Sequence, residues 1–232
     1  AVLASASADG TAVLWDVDAG GALATLKGHK NRLSGVAWHP AGGHVGTAAF
    51  DRTWRLWDAA TGQELLLQEG HAAEVYALAF QCDGALAATG DFTGVGRLWD
   101  LRSGKCVHDL EGHVRRLLCA DFAPDGFRLA TGSDDNTVRI WDLRKRECIY
   151  NLPAHGALIT DVKWAPETGE FLATSSFDGT AKAWSSRDMS LLRVLAGHEG
   201  KVTAIDIHPG EEKIMTASFD RTFKLWAHKD EF

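Results

Sequence analysis

The chain is poor in the features that most directly declare a chemistry. Its four cysteines, Cys82, Cys106, Cys119 and Cys148, make no C-x-x-C pair and fall at no metal-ligand spacing, which excludes a zinc knuckle and a disulfide framework. Cys106 and Cys148 each stand seven residues past a tryptophan. They read as free thiols buried in a small apolar slot, as expected in a reducing compartment. There is no signal peptide, no membrane-length apolar run and no N-x-[ST] acceptor, so the chain reads as nuclear or cytoplasmic. A formal charge of −7 gives no bulk attraction to nucleic acid or an anionic membrane, and any such contact has to come from a local basic patch. No segment of useful length carries a helical period.

What the chain does have is a period. Trp15, Trp57, Trp99, Trp141, Trp184 and Trp226 recur every 42 or 43 residues, and four of them continue as Trp-Asp. Gly28-His29, Gly70-His71, Gly112-His113, Ala154-His155 and Gly197-His198 keep step, 28 or 29 residues ahead of the next tryptophan. Even spacing argues for one repeat domain over 1–232 with no linker. The chain has only two methionines and opens at Ala1 inside a repeat, which suggests a piece of something longer.

Each unit is built of short strands. In the fourth, Arg116–Phe122, Phe127–Thr131 and Thr137–Trp141 are separated by the turns Pro124-Asp125-Gly126 and Asp135-Asn136, and a further strand follows at Glu147–Leu152. A lone sheet of this kind leaves two apolar faces, so neighbouring sheets must stack to hide them from water.

A repeat of this length that opens with Gly-His and closes with Trp-Asp resembles the WD40 family. The resemblance implies an all-β propeller with blades of four antiparallel strands. An outer, inner, second and third strand for each of the five later tryptophans, plus two for the first, makes 22 strands. That is about five and a half blades of a seven-bladed ring.

A hydroxyl stands ten residues before each tryptophan: Ser5, Thr47, Thr89, Thr131, Thr174 and Thr216. An aspartate stands six before it in five units: Asp9, Asp51, Asp135, Asp178 and Asp220. The resemblance implies that His29, His71, His113, His155 and His198 join these residues and the tryptophans in hydrogen-bonded tetrads across each blade. The third unit has Thr93 at the aspartate position, so its tetrad is expected to lack a carboxylate and His71 to find another partner or stay partly hydrated. The first unit has no histidine upstream.

His, Thr and Asp are also the residue types of a hydrolytic triad. An active site occurs once, whereas these recur in every unit, which is the behaviour of structural ties. His39 and His208, each next to a proline, read as solvated turn residues. His44, His108 and His228 have no companions at ligand spacing. Gly94-Val95-Gly96 and Gly197-His198-Glu199-Gly200-Lys201 are too short for a dinucleotide fingerprint or phosphate loop. No enzyme, metal, cofactor or small-molecule substrate is expected.

Seven residues before the tryptophan stand Phe50, Phe92, Phe177 and Phe219, at a hairpin turn where small or polar residues are the norm. Three residues after each blade's histidine come Arg32, Glu74, Arg116, Leu158 and Lys201, with Arg52 and Arg221 following turn aspartates. The resemblance places these registers on the top face, where partners of WD-repeat proteins dock. Rings beside cations have the composition of an interaction hot spot and also suit an RNA backbone. The competing readings are rings that fill gaps between blades and charges that merely face solvent.

Longer stretches carry a narrower resemblance. Phe50–Asp58, Gln68–His71, Gly94–Cys106, Leu195–Val202 and Ser218–Trp226 are similar to the C-terminal propeller of the pre-mRNA-processing factor 4 family, WD-repeat splicing factors of the U4/U6 small nuclear ribonucleoprotein (snRNP). This implies a nuclear, non-catalytic scaffold that helps build the tri-snRNP. Its partners would be the protein holding the U4/U6 duplex and, through a region N-terminal to this sequence, a cyclophilin. Direct snRNA contact is left open, and no membrane contact is implied. Two alternatives stand: a generic WD40 adaptor of the G-protein β type, and a peptide reader at the channel mouth.

Overall fold

A computed structural model describes residues 1–227, so His228 lies outside the described residues. The chain divides into two compact units, Ala1–Gly112 and from His113 onward. The described residues contain 22 strands in six antiparallel sheets, and no helix. Blade 1 comprises Val2–Ala6, Thr11–Asp16 and Gly21–Lys27. Blade 2 comprises Leu33–Trp38, His44–Ala49, Trp54–Asp58 and Glu64–Gln68; blade 3 follows with Val75–Phe80, Leu86–Asp91, Gly96–Asp100 and Lys105–Leu110. The second unit holds blade 4 (Leu117–Phe122, Arg128–Ser133, Thr137–Asp142, Glu147–Pro153) and blade 5 (Ile159–Trp164, Phe171–Ser176, Thr180–Ser185, Leu191–Ala196). Blade 6 is made of Val202–Ile207, Lys213–Ser218 and Phe223–Ala227.

The expected total of 22 strands is met, and the fourth strand of the fourth unit, Glu147–Pro153, pairs with Thr137–Asp142 as its place after Trp141 leads one to expect. Each outer strand pairs with the third strand that precedes it, as Gly21–Lys27 does with Thr11–Asp16, and not with the blade of the next histidine. The reason is turn length. A tight turn closed by Gly20 N–H donating to the Asp16 carbonyl (2.8 Å) returns the chain at once to its own sheet. At the tryptophan the pairing with the outer strand slips by one residue, for example between Ile140 and Trp141, and such a bulge bends the edge strand.

Alternation decides what each blade buries. Val138 and Ile140 on the third strand of blade 4 are fully buried, in one cluster with Ile159, Val162, Trp164 and Leu172 of blade 5. Ala12 and Leu14 likewise meet Leu33, Val45 and Trp57. Trp54 and Leu56 meet Val75, Ala87 and Trp99. Each large side chain so buried contributes roughly 1.5–3 kcal/mol, which no isolated sheet can collect.

Polar ties join successive inner strands. Ser34 Oγ donates to the Val75 carbonyl (2.8 Å) and Thr160 Oγ1 to the Val202 carbonyl (3.0 Å). The Asp121 carboxylate accepts from Trp164 N–H (2.8 Å) and Asp161 from Ile205 N–H (3.3 Å).

Two readings of the sequence are overturned here. Only Cys119 of the four thiols is buried; Cys82 is exposed in the turn after Val75–Phe80, and on the outer strands, which have a solvent side, Cys106 is exposed and Cys148 half-buried. His39 is not a solvated turn residue. Its Nε2 lies 3.0 Å from the Gly84 carbonyl oxygen and its ring packs on Phe80, so it ties blade 2 to blade 3. His208 is more than half exposed and pairs with Glu212 (3.0 Å).

Candidate interaction surface and the polar ties beneath it

In blades 2 to 6 the tryptophan, threonine, histidine and aspartate form one continuous chain of hydrogen bonds. Trp57 Nε1–H donates to Thr47 Oγ1 (2.8 Å), which lies 2.8 Å from His29 Nε2, while His29 Nδ1 lies 2.9 Å from Asp51 Oδ2. The same contacts link Trp141, Thr131, His113 and Asp135 (2.9, 2.9 and 2.9 Å). They link Trp184, Thr174, His155 and Asp178 (3.0, 2.8 and 2.8 Å), and Trp226, Thr216, His198 and Asp220 (2.9, 2.8 and 2.7 Å). In blade 1 Trp15 Nε1–H donates to Ser5 Oγ (2.8 Å) and Asp9 accepts from the Thr11 amide (2.9 Å).

One tautomer satisfies every group. The imidazole donates from Nδ1 to the carboxylate and accepts at Nε2 from the threonine hydroxyl, whose oxygen accepts from the indole. Burial holds His29 and His155 below the usual histidine pKa, an effect that the facing aspartates only partly offset. Burial alone would raise the Asp51 carboxyl, but hydrogen bonds from Thr53, the Lys30 amide and His29 outweigh it and leave the net shift downward. Asp135 and Asp178 behave in the same way.

Blade 3 departs from the expectation for it. The carboxylate is present, on Asp91 at the end of the second strand, two positions earlier than in the other blades and across the hairpin. Asp91 Oδ2 lies 2.9 Å from His71 Nδ1, whose Nε2 is 2.7 Å from Thr89 Oγ1; Trp99 Nε1–H donates to that hydroxyl (2.7 Å). Thr93 donates to Asp91 from its amide (2.8 Å) and its hydroxyl. Asp91 is 1% exposed, and burial is again outweighed by His71 and Thr93, which hold its pKa down. The signal was an aspartate two residues after the tetrad threonine.

The tetrad threonines are at most 2% exposed, so no substrate carbonyl can reach a hydroxyl already held between an indole and an imidazole. The chemistry available to these groups is cohesion.

Beside these ties the phenylalanines pair between consecutive blades. In the first unit Phe50 meets Phe92 edge to face (centroids 5.3 Å apart), and Phe92 stacks on Tyr76 at 5.5 Å. The Arg32 guanidinium lies 3.9 Å from the Phe50 ring centre. Tyr76 was missed in the sequence, where only its rarity, as one of two tyrosines, marked it. In the second unit Phe177 meets Phe219 at 5.8 Å, with Lys201 Nζ 4.7 Å from the Phe177 ring centre and Phe219 64% exposed. Arg116 is exposed in the same register of blade 4, where Asp134 stands in place of phenylalanine. The rings pack on one another, with Phe50, Phe92 and Phe177 half-buried and Phe219 exposed.

The family described as WD domain, G-beta repeat matches residues 20–58, 62–100, 104–142, 146–185 and 189–227. The chain belongs to the WD40 family. Within it, the chain is similar to proteins named for the U4/U6 snRNP. It is 51% identical over 61 residues to the PRP4-like protein of Arabidopsis thaliana, covering 26% of this chain and 11% of that protein. It is 60% identical over 35 residues to Prp4 of Mus musculus, covering 15% and 7%. A stretch of 45 residues is 42% identical to a component of chromatin assembly factor 1 of Gallus gallus, 19% of this chain and 8% of that protein. These matches span about a tenth or less of each relative's length. They are consistent with a PRP4-like WD-repeat region.

Proposed function

We propose that this chain is a non-catalytic interaction scaffold of a nuclear U4/U6 snRNP, acting in pre-mRNA splicing and tri-snRNP assembly. Residues 1–232 serve as one WD40 propeller domain, without metal or cofactor. The observation that carries the reading is the pairing of partly exposed rings with cations at one repeat register, Phe50 with Phe92 under Arg32 and Phe177 with Phe219 beside Lys201. Partly exposed aromatics held by cation–π contacts are rigid anchors that lose little entropy on binding. The U4/U6 names of the relatives supply the assembly, and the partner bound there is the protein that holds the U4/U6 duplex. Contact with a cyclophilin would run through sequence outside this chain. The match to a chromatin assembly factor favours a second reading, a WD40 adaptor for other nuclear proteins.

Affinity capture from nuclear extract separates the two. The first reading expects U4/U6 snRNP proteins with U4 and U6 RNA in the eluate, and chromatin factors without those RNAs would support the second. The double variant Phe177→Ala/Phe219→Ala should lose capture while its thermal midpoint stays within a few degrees of wild type. Parallel loss of stability and capture would mean that the rings are packing only.

A further inference from the structure

The hairpin between second and third strands carries a left-handed residue at one register in all six blades. In blades 1, 3, 4, 5 and 6 its amide closes the turn onto the carbonyl three residues back, as Arg221 does onto Ser218 (3.1 Å) and Gly179 onto Ser176 (3.3 Å). That backbone region suits glycine and, less well, asparagine. Blades 1, 3, 4 and 5 place Gly10 (φ 85°), Gly94 (91°), Asn136 (68°) and Gly179 (85°) there. Blades 2 and 6 instead place arginine, Arg52 (φ 69°) and Arg221 (68°), each within Phe-Asp-Arg-Thr. Both side chains are exposed, and among the described residues neither guanidinium has a hydrogen-bond or ion-pair partner. A strained backbone at an exposed arginine with no partner inside the fold points to a ligand outside it.

We propose that Arg52 and Arg221 bind carboxylate side chains of an acidic protein segment whose apolar residues dock on the adjoining phenylalanine clusters. The proposal rests on the reading of those clusters as a docking surface and names the partner's chemistry. A guanidinium offers a planar fork of donors that matches a carboxylate. Each unit carries one such station: in the first, Arg32 lies over Phe50 and Arg52 follows that ring by two residues; in the second, Lys201 lies over Phe177 and Arg221 follows Phe219 by two residues. A nucleic acid fits less well. Base stacking needs open ring faces, yet Arg32 lies on Phe50, Tyr76 on Phe92 and Lys201 on Phe177. The flanking carboxylates Asp51, Glu74, Glu199 and Asp220, within a chain of net charge −7, repel a polyphosphate more than a segment with a few matched carboxylates.

The test uses the whole chain and three fluorescein-labelled probes: a peptide of Glu-Leu-Glu-Phe repeats, its Gln-Leu-Gln-Phe counterpart, and oligouridylate. Wild type should bind the Glu peptide about tenfold more tightly than the Gln peptide, as a charge-assisted pair would give. Arg52→Gly and Arg221→Gly should each remove about half of the Glu-peptide binding capacity and the double variant most of the preference, with an unchanged or higher thermal midpoint, because glycine suits the left-handed turn. Equal binding of the two peptides, no Glu-peptide binding at millimolar concentration, or unaltered preference and capacity in the double variant overturns the proposal. Tighter binding of oligouridylate also overturns it and assigns the arginines to RNA. If the arginine variants fail this test while Phe177→Ala/Phe219→Ala still abolishes capture, the docking surface stands and only the acidic partner falls.

Discussion

Replacing Asp91 with alanine tests whether the displaced carboxylate of blade 3 does the work of the turn aspartate elsewhere. Asp91 accepts from His71 Nδ1, the Thr93 amide and hydroxyl, and the Val95 amide. Thr93 is exposed, so its groups find water in the variant. The His71 side chain is 1% exposed and its Nδ1–H does not. An orphaned buried donor costs roughly 1–3 kcal/mol, and loss of the turn contacts adds about 1 kcal/mol. Asp91→Ala should therefore destabilise by about 3 kcal/mol, which in a domain of this size lowers the thermal midpoint by about 6–12 °C. Circular dichroism melting gives the midpoint, and hydrogen exchange localises the loss to blade 3. Adding Thr93→Asp to Asp91→Ala returns the carboxylate to the register of the other blades and should recover part of the loss. A single variant that melts with wild type and keeps blade 3 protected would refute the assignment.

Two further predictions concern the contacts between blades 4 and 5 and within the inner strands. Burial pushes the Asp121 carboxyl up to about 6 from an ordinary 3.8, helped by Asp161 and Asp206 and opposed by Lys163 and the Trp164 amide. Its folded pKa is raised, so its contribution to stability is fullest below pH 4 and is lost as pH rises through about 6. At about 1.4 kcal/mol per pKa unit the loss is roughly 2–3 kcal/mol at pH 7. Asp121→Asn keeps an acceptor for the Trp164 amide, and urea unfolding should find it more stable than wild type at pH 7.5 but not at pH 4. A variant less stable at both pH values would contradict this. A Cβ added at Gly132 would lie 2.5 Å from Cys119 Sγ and 2.6 Å from Ile159 Cγ2. Gly132→Ala should cost about 1–3 kcal/mol through overpacking, and Cys119→Ala in the same chain should restore part of it; no loss in the single variant would show that the interface yields freely.

The period of the chain made the blades legible because each buried register repeats. The strands of the fourth unit fall within two residues of their expected ends, and the His, Thr and Trp contacts are those that the family resemblance implied for these registers. Asp91 escaped because counting back from Trp99 assumes that the carboxylate always leaves from the same side of the hairpin, whereas the imidazole needs only its position in space. Sheet membership of the outer strand was legible in the fourth unit, where Glu147–Leu152 follows Trp141 after a short turn. A repeat defined by Gly-His and Trp-Asp has no natural start, and only the tight turn after Asp16 decides which sheet the outer strand joins. His39, and Tyr76 through its edge-to-face contact with Phe50, act across a blade boundary, at distances that a single repeat cannot encode.

The claim under all of this is that the recurring imidazoles are internal ties with one fixed proton arrangement. Two-dimensional 15N NMR of the histidine side chains measures it directly. The account predicts that His29, His71, His113, His155 and His198 all carry the proton on Nδ1, with the Nδ1–H slow to exchange. An Nε2–H tautomer, or a fast-exchanging Nδ1 proton on one histidine set apart from the rest, would contradict it and point to an imidazole free to do chemistry.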